Sequence, residues 1–135
     1  MALGAMLTLV AGVAVAANVK CGDNNRAQCN GTNNKDTIRG TGERDNIFAM
    51  DNPNGTFDEV NARGGPDTVR GDGGRDRIDG GSGGDDLFGG DANDVIDSRD
   101  GVNGNDFVDC GDGNNDRAIV DPGDDTTNCD GNVDR

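Results

Sequence analysis

A repeat of nine residues runs through most of this sequence and restricts the folds open to it. Each unit has an aspartate followed, two residues later, by an aliphatic or similar side chain. Short insertions near 49–52, at 98–100 and at Cys110 interrupt the period. Such self-similarity predicts a solenoid of stacked repeats. The regular units have their aspartates at Asp36, Asp45, Asp58, Asp67, Asp76, Asp85, Asp94 and Asp106, and two weaker units have theirs at Asp116 and Asp125.

The residues within each unit predict a short strand followed by a turn. Asp-x-Ile segments are strand-like, and the glycines between them permit the positive φ angles of tight turns. Two units would make one coil, so that every second unit stacks at a spacing of about 4.8 Å. The predicted fold is therefore all-β, a right-handed parallel β-roll (β-solenoid) of about ten repeats in about five coils. Its interior would be a single ladder of Ile, Val and Leu side chains.

The composition fits this fold and excludes several functions. The 135 residues include 24 glycines and 4 phenylalanines but no tyrosine or tryptophan, too little for a conventional core. A net charge of −14 argues against nucleic acid or an anionic membrane surface as a partner. The absence of histidine removes imidazole metal sites and Ser-His-Asp or Cys-His catalytic pairs. We therefore expect no enzymatic activity.

The most regular unit, residues 80–88, reads GGxGxDxUx, where U is an aliphatic residue. Over about residues 31–128 the chain resembles the hemolysin-type (RTX) calcium-binding nonapeptide repeats. The resemblance implies that the sixth-position aspartates and nearby turn carbonyls of two stacked turns share calcium ions, with Asp58/Asp76, Asp67/Asp85 and Asp76/Asp94 as the clearest pairs. The pattern is weakest around Asp36, Asp45, Asp116 and Asp125. The implied calcium ligands are Asp45, Asp58, Asp67, Asp76, Asp85, Asp94, Asp106, Gly74, Gly81, Gly83 and Gly90.

Elementary electrostatics also favours calcium. Stacking the repeats aligns their aspartates in columns, which repel one another unless a cation lies between them. Calcium accepts six to eight oxygen ligands, including carboxylates and carbonyls. One aliphatic side chain per repeat buries too little apolar surface to order about 100 residues. We therefore expect several calcium ions to bind and to be coupled to folding.

The four cysteines are predicted to close the two ends of the roll. Cys21 and Cys29 precede the repeats, whereas Cys110 and Cys129 each follow the ninth position of a repeat and lie one coil apart. This register predicts the disulfides Cys21–Cys29 and Cys110–Cys129. A four-cysteine zinc site is the weaker alternative, because no C-x2-C pair is present.

The chain divides into four predicted segments. Residues 1–17 are uncharged and end in small residues, which is typical of a signal peptide; a retained membrane anchor is the alternative. Residues 18–30 would form an N-terminal cap with its disulfide, residues 31–128 the calcium-binding β-roll, and residues 129–135 a C-terminal tail.

These features predict a secreted, extracellular calcium-binding β-roll of bacterial type. After signal cleavage we expect no membrane partner, and a cell-surface or matrix partner stays open. The alternative function is an extracellular adhesin or matrix spacer, in which the roll is a scaffold and calcium is secondary. A calcium-independent roll and a disordered acidic chain also stay open.

Overall fold

A computed structural model describes residues 17–22, 28–50, 55–130 and 133–134. Apart from Ala17, the predicted signal segment lies outside the described residues, as does part of the predicted insertion at 49–52. Within the described ranges, no helix has the length and apolarity needed to cross a membrane.

Strands are the only regular secondary structure of the described residues, and they alternate between two parallel sheets. Odd-numbered strands make a seven-stranded sheet in the order β1-β3-β5-β7-β9-β11-β13, and even-numbered strands make a six-stranded sheet in the order β12-β10-β8-β6-β4-β2. The all-β parallel solenoid is thus confirmed, with about six turns rather than five. The strands are β1 Ala17–Lys20, β2 Gln28–Asn30, β3 Asp36–Arg39, β4 Asn46–Phe48, β5 Glu59–Asn61, β6 Thr68–Gly73, β7 Arg77–Asp79, β8 Asp86–Asp91, β9 Val95–Asp97, β10 Phe107–Asp112, β11 Arg117–Ile119, β12 Asp125–Thr127 and β13 Val133–Asp134.

The extra turn comes from the segments on either side of the recognisable repeats. The predicted N-terminal cap, together with Ala17 of the predicted signal segment, supplies β1 and β2, which pair with β3 and β4. The predicted C-terminal tail supplies β13, which pairs with β11. The solenoid therefore continues beyond the segment in which the aspartate period can be read.

The aliphatic ladder lies between the two sheets, as predicted. Ile38, Val60 and Ile78 stand in register in one sheet, while Val69 and Leu87 do so in the other. Burial of these side chains drives the stacking of the coils, because each one contacts its equivalents above and below. The nine predicted members are at most 1% exposed: Ile38, Ile47, Val60, Val69, Ile78, Leu87, Ile96, Val108 and Ala118.

A second interior ladder was not predicted. It lies two residues after each aliphatic side chain, where the strand again points inward, and its members are small because the turn begins there. The sequence signal was the recurrence of small residues at this position. The buried members are Gly40, Ala49, Ala62, Gly71, Gly80, Gly89, Ser98, Cys110 and Val120.

Both predicted disulfides are present. Cys21 and Cys29 have their Cα atoms 5.4 Å apart, and the Cα atoms of Cys110 and Cys129 are 5.0 Å apart. The four side chains are buried in the same core as the aliphatic ladder. Cys29 and Cys110 lie in β2 and β10, whereas Cys21 and Cys129 follow β1 and β12, so each disulfide lies near one end of the solenoid.

The repeat phase near the C-terminus differs from the prediction at two places. Phe107 pairs with Asp125, so Asp124 rather than Asp125 stands beside Asp106 and points inward. Gly111 and Asp112 pair with Gly90 and Asp91, so the extra residue of the adjoining repeat lies in the turn after Asp112 and not at Cys110. In both places the inward-facing pattern of the neighbouring strand decides the register.

Candidate metal centre

The sixth-position aspartates form two buried columns, one beside each sheet. They point inward because they lie two residues before an inward aliphatic side chain. All of them are at most 4% exposed, although aspartate is ordinarily a surface residue. One column contains Asp36, Asp58, Asp76, Asp94 and Asp116, and the other contains Asp45, Asp67, Asp85, Asp106 and Asp124.

Within each column, hydrogen bonds join every aspartate to the next coil. The backbone N–H of Asp58 donates to Oδ1 of Asp76 at 2.9 Å, and the N–H of Asp76 donates to Oδ1 of Asp94 at 2.7 Å. Asp67 makes the same bond to Asp85 at 2.8 Å. The three predicted aspartate pairs are therefore in direct contact. The same bond joins Asp36 to Asp58, Asp45 to Asp67, Asp85 to Asp106 and Asp94 to Asp116.

The other carboxylate oxygen, Oδ2, lies inside the turn of its own repeat. A Cβ atom placed on Gly80 would be 2.8 Å from Oδ2 of Asp85, and one placed on Gly89 would be 2.5 Å from Oδ2 of Asp94. The same Cβ on Gly89 would also collide with the carbonyl oxygen of Cys110, from the adjacent coil. Carboxylate and carbonyl oxygens of stacked turns thus converge where the repeat begins with glycine.

Six of these Oδ2 atoms are buried and accept no hydrogen bond from the described residues. The two ion pairs that the described residues form, Arg99–Asp97 and Arg117–Asp134, include none of the six. A buried carboxylate oxygen without a donor is unfavourable, because water no longer solvates its charge. The six belong to Asp67, Asp76, Asp85, Asp94, Asp106 and Asp116.

Burial changes the acidity of these carboxyl groups. Loss of solvation raises the pKa of Asp94 to about 8, with further increases from the charges of Asp76 and Asp116. Loss of solvation likewise raises the pKa of Asp67 and Asp76 to about 7 and that of Asp85 and Asp106 to about 6. Near neutral pH the metal-free columns therefore hold protons that an ordinary aspartate would have lost.

The turns keep one backbone conformation even where the consensus glycine is missing. The second and fourth positions of four successive repeats have positive φ. Gly74, Gly81, Gly83 and Gly90, which were predicted to contribute to the sites, are among them. Arg63, Asp72 and Ala92 adopt the same region at a conformational cost. The eight residues are Arg63, Gly65, Asp72, Gly74, Gly81, Gly83, Gly90 and Ala92, with φ between 67° and 136°.

The oxygen atoms available as metal ligands suit a hard divalent cation. The central turns present carboxylate and backbone carbonyl oxygens, the ligand type that calcium prefers, and no imidazole. The sequence prediction placed Asp116 among the weaker repeats, yet its carboxylate shares the environment of Asp94. Binding of calcium by these residues stays a prediction.

Three aspartates near the ends have a different environment. Oδ2 of Asp45 accepts hydrogen bonds from the N–H of Thr41 at 2.6 Å and from its hydroxyl at 3.0 Å. Asp36 has the same two donors in Thr32. Oδ2 of Asp124 accepts from the N–H of Asp121 and the hydroxyl of Ser98.

Cys21, Cys29 and Asp45 have their potential ligand atoms within 4.8 Å of one another. They do not form a thiolate metal site, because the two cysteines are joined in a disulfide.

Comparison with known families agrees with the site. Residues 30–52, 54–87 and 61–96 match a family model described as RTX calcium-binding nonapeptide repeat (4 copies). The matched segments span about half of the chain, from β2 to β9, and include the central aspartates of both columns. No curated protein and no solved structure matches the chain. With its matched repeats forming the coils of a parallel β-solenoid, the chain belongs to the family of RTX calcium-binding nonapeptide-repeat proteins.

Proposed function

We propose that this protein is a secreted calcium-binding β-roll in which several calcium ions are held between stacked turns and are coupled to folding. The observation that supports the proposal is the set of six buried Oδ2 atoms that accept no hydrogen bond within the described part of the chain. A Cβ atom placed on Gly80 would lie against Oδ2 of Asp85, and one placed on Gly89 would meet both Oδ2 of Asp94 and a carbonyl oxygen of the adjacent coil. The proposed role is binding and structural, in keeping with the repeat family.

The proposed ligands are the central aspartates and the carbonyl oxygens of their turns. Asp58, Asp67, Asp76, Asp85, Asp94, Asp106 and Asp116 supply the carboxylates. The Oδ1 atoms of these columns already accept backbone N–H groups from the preceding coil, which fixes the orientation of each carboxylate and leaves Oδ2 available in the turn. A bound calcium ion supplies positive charge to the column.

Coupling to folding follows from how the site is assembled. Each column takes its carboxylates from different coils, so no complete ligand set exists in the unfolded chain. The aspartates repel one another and lose solvation when the coils stack without a cation. Binding to the folded state alone would stabilise that state by mass action.

Secretion is proposed from two features of the chain. Both disulfides are expected to form and persist in an oxidising compartment. The apolar segment 1–17 has the composition of a signal peptide.

Far-UV circular dichroism of the oxidised chain, titrated with calcium and with magnesium as the control, tests the proposal. We expect a cooperative rise in β signal that calcium alone produces and that a chelator reverses. A spectrum that is already β-rich in chelator and unchanged by calcium would contradict calcium-coupled folding and favour the scaffold alternative.

A further inference from the structure

The first two complete repeats, residues 31–39 and 40–48, differ from the central repeats at their second position. The central repeats have Arg63, Asp72, Gly81 or Gly90 there, all with positive φ. Thr32 and Thr41 occupy the same position with ordinary negative φ. The change of backbone conformation coincides with a change in what surrounds the aspartate.

In the first two repeats, the threonine hydroxyl and N–H both donate to the aspartate four residues later. The hydroxyl of Thr32 lies 3.1 Å from Oδ2 of Asp36, and that of Thr41 lies 3.0 Å from Oδ2 of Asp45. The Thr41 hydroxyl also accepts the N–H of Glu43 at 3.1 Å, which fixes its position in the turn. Oδ2, which has no donor among the described residues in the central coils, is therefore hydrogen-bonded in these two repeats.

At the other end of the solenoid, different residues donate hydrogen bonds to Oδ2 of the aspartate. Ser98, which is fully buried, donates its hydroxyl to Oδ2 of Asp124 at 3.2 Å. The N–H of Asp121 donates to the same oxygen at 2.9 Å. Oδ1 of Asp124 accepts the N–H of Gly104 at 3.1 Å. Both oxygens of this carboxylate are thus occupied without a cation.

We propose that the hydroxyl groups of Thr32, Thr41 and Ser98 take the place of calcium at the two ends of the solenoid and confine calcium to the central coils. The inference rests on the proposed calcium-binding function and narrows it. Asp45, which the sequence pattern placed among the calcium ligands, becomes a structural residue bonded to Thr41. The end coils then hold their aspartates by direct hydrogen bonds and a disulfide, and they are ordered before calcium binds.

The proposal has a physical basis in the number of donors. A buried carboxylate oxygen must receive a hydrogen bond or a cation, and either one removes most of the penalty of burial. An oxygen that already accepts two donors offers little additional gain to calcium. Aspartates at the same repeat position can therefore be metal ligands in one coil and hydrogen-bond acceptors in another.

Calcium stoichiometry from equilibrium dialysis of the full oxidised chain gives the first test. We expect Asp45→Asn to leave the number of bound ions unchanged and Asp85→Asn to lower it by at least one. Loss of an ion in Asp45→Asn would overturn the inference. If neither variant nor the wild type binds calcium, the proposed function fails, and the exchange experiment below still decides the role of the hydroxyl groups.

Amide hydrogen exchange in chelator gives the second test. We expect slower exchange in residues 28–48 than in residues 67–97 of the wild type. The double variant T32V/T41V should accelerate exchange in residues 28–48 by about tenfold, since it leaves two buried carboxylates short of a donor. The variant T32S/T41S retains both hydroxyl groups and should behave as the wild type does. Thr37→Val, on the outward side of β3, is the matched control. Equal exchange rates in the two regions, or no effect of T32V/T41V, would overturn the inference.

Discussion

The central coils and the two ends of the solenoid both have a buried aspartate in each repeat, but different groups surround its carboxylate in the two regions. At the ends, Asp45 and Asp124 receive hydroxyl and N–H donors. In the centre, the Oδ2 atoms of Asp76 and Asp94 receive none from the residues that the structure describes. The fold itself is the same in both regions, so the two regions differ only in the residues next to each carboxylate. Under the proposed function, these neighbouring residues determine whether a coil needs calcium.

The largest expected effect is that of pH on the calcium-free protein. Asp67, Asp85 and Asp94 have folded-state pKa values of about 7, 6 and 8, above the value of 3.8 expected when unfolded. Between these limits the folded state binds more protons than the unfolded state, so the free energy of unfolding falls as pH rises from about 4 to about 8. In calcium-depleted buffer the chain should be more stable to urea at pH 5 than at pH 8.

Saturating calcium should reverse this pH dependence, since protons compete with the ion for the same carboxylates. Urea unfolding followed by circular dichroism at both pH values, with and without calcium, measures the effect. Equal stability at pH 5 and pH 8 without calcium would show that the central aspartates are not held in a desolvated column.

A core substitution should give the next largest effect. Leu87 is fully buried and stands in register with Val69 and Val108. Leu87→Ala should lower the free energy of unfolding in saturating calcium by about 2–5 kcal/mol, because it leaves a cavity in the central ladder. Val120→Ala, near the C-terminal end, removes fewer carbon atoms and should cost less. An equal loss for the two variants in urea unfolding would contradict the expectation that the cost follows the number of buried carbon atoms removed.

Removing the disulfides compares the two ends with each other. The bridge Cys110–Cys129 closes a sequence separation of 19 residues, whereas Cys21–Cys29 closes one of 8. The double substitution Cys110→Ala with Cys129→Ala should cost about 3 kcal/mol, and the equivalent change at Cys21 and Cys29 should cost less, because the longer loop loses more entropy when closed. Thermal unfolding in saturating calcium measures both. The reverse order would show that native contacts at the N-terminal end, and not loop closure, set the difference.

Much of the fold could be predicted from the sequence because an aliphatic residue recurs once in every nine residues and had to face inward. The parallel register follows from residues 18 apart, such as Val60 with Ile78 and Val69 with Leu87. The same phase predicted the pairing of Cys110 with Cys129. The distinction between Asp124 and Asp125 could not be predicted, since both are acidic and only the pairing of Asp125 with Phe107 decides it.

The depth of the aspartates and the role of the threonines were also beyond the sequence. Aspartate usually lies on the surface, so the full burial of the aspartate columns could be seen only in the structure. Thr41 stands where the repeat consensus has glycine, which reads as a weakened calcium site. Its hydroxyl instead completes the environment of Asp45, and this became visible only from the geometry of the turn.

The smallest predicted effect is that of replacing Asp76, and the sign of the change in unfolding free energy distinguishes a central aspartate from one at the ends. Asp76→Asn removes a buried charge. In calcium-free buffer at pH 8 it should therefore raise the free energy of unfolding, as measured by urea unfolding, by roughly 1–2 kcal/mol. The gain is limited because the N–H groups of the new side-chain amide have no acceptor. In saturating calcium the same substitution should be destabilising, because one ligand of the ion is lost. Asp86→Asn, on the exposed side of β8, is the matched control and should change neither value appreciably. If Asp76 were purely structural, the substitution would destabilise the protein in both conditions. A loss of stability without calcium would therefore group Asp76 with Asp45 and Asp124, and not with the proposed calcium ligands.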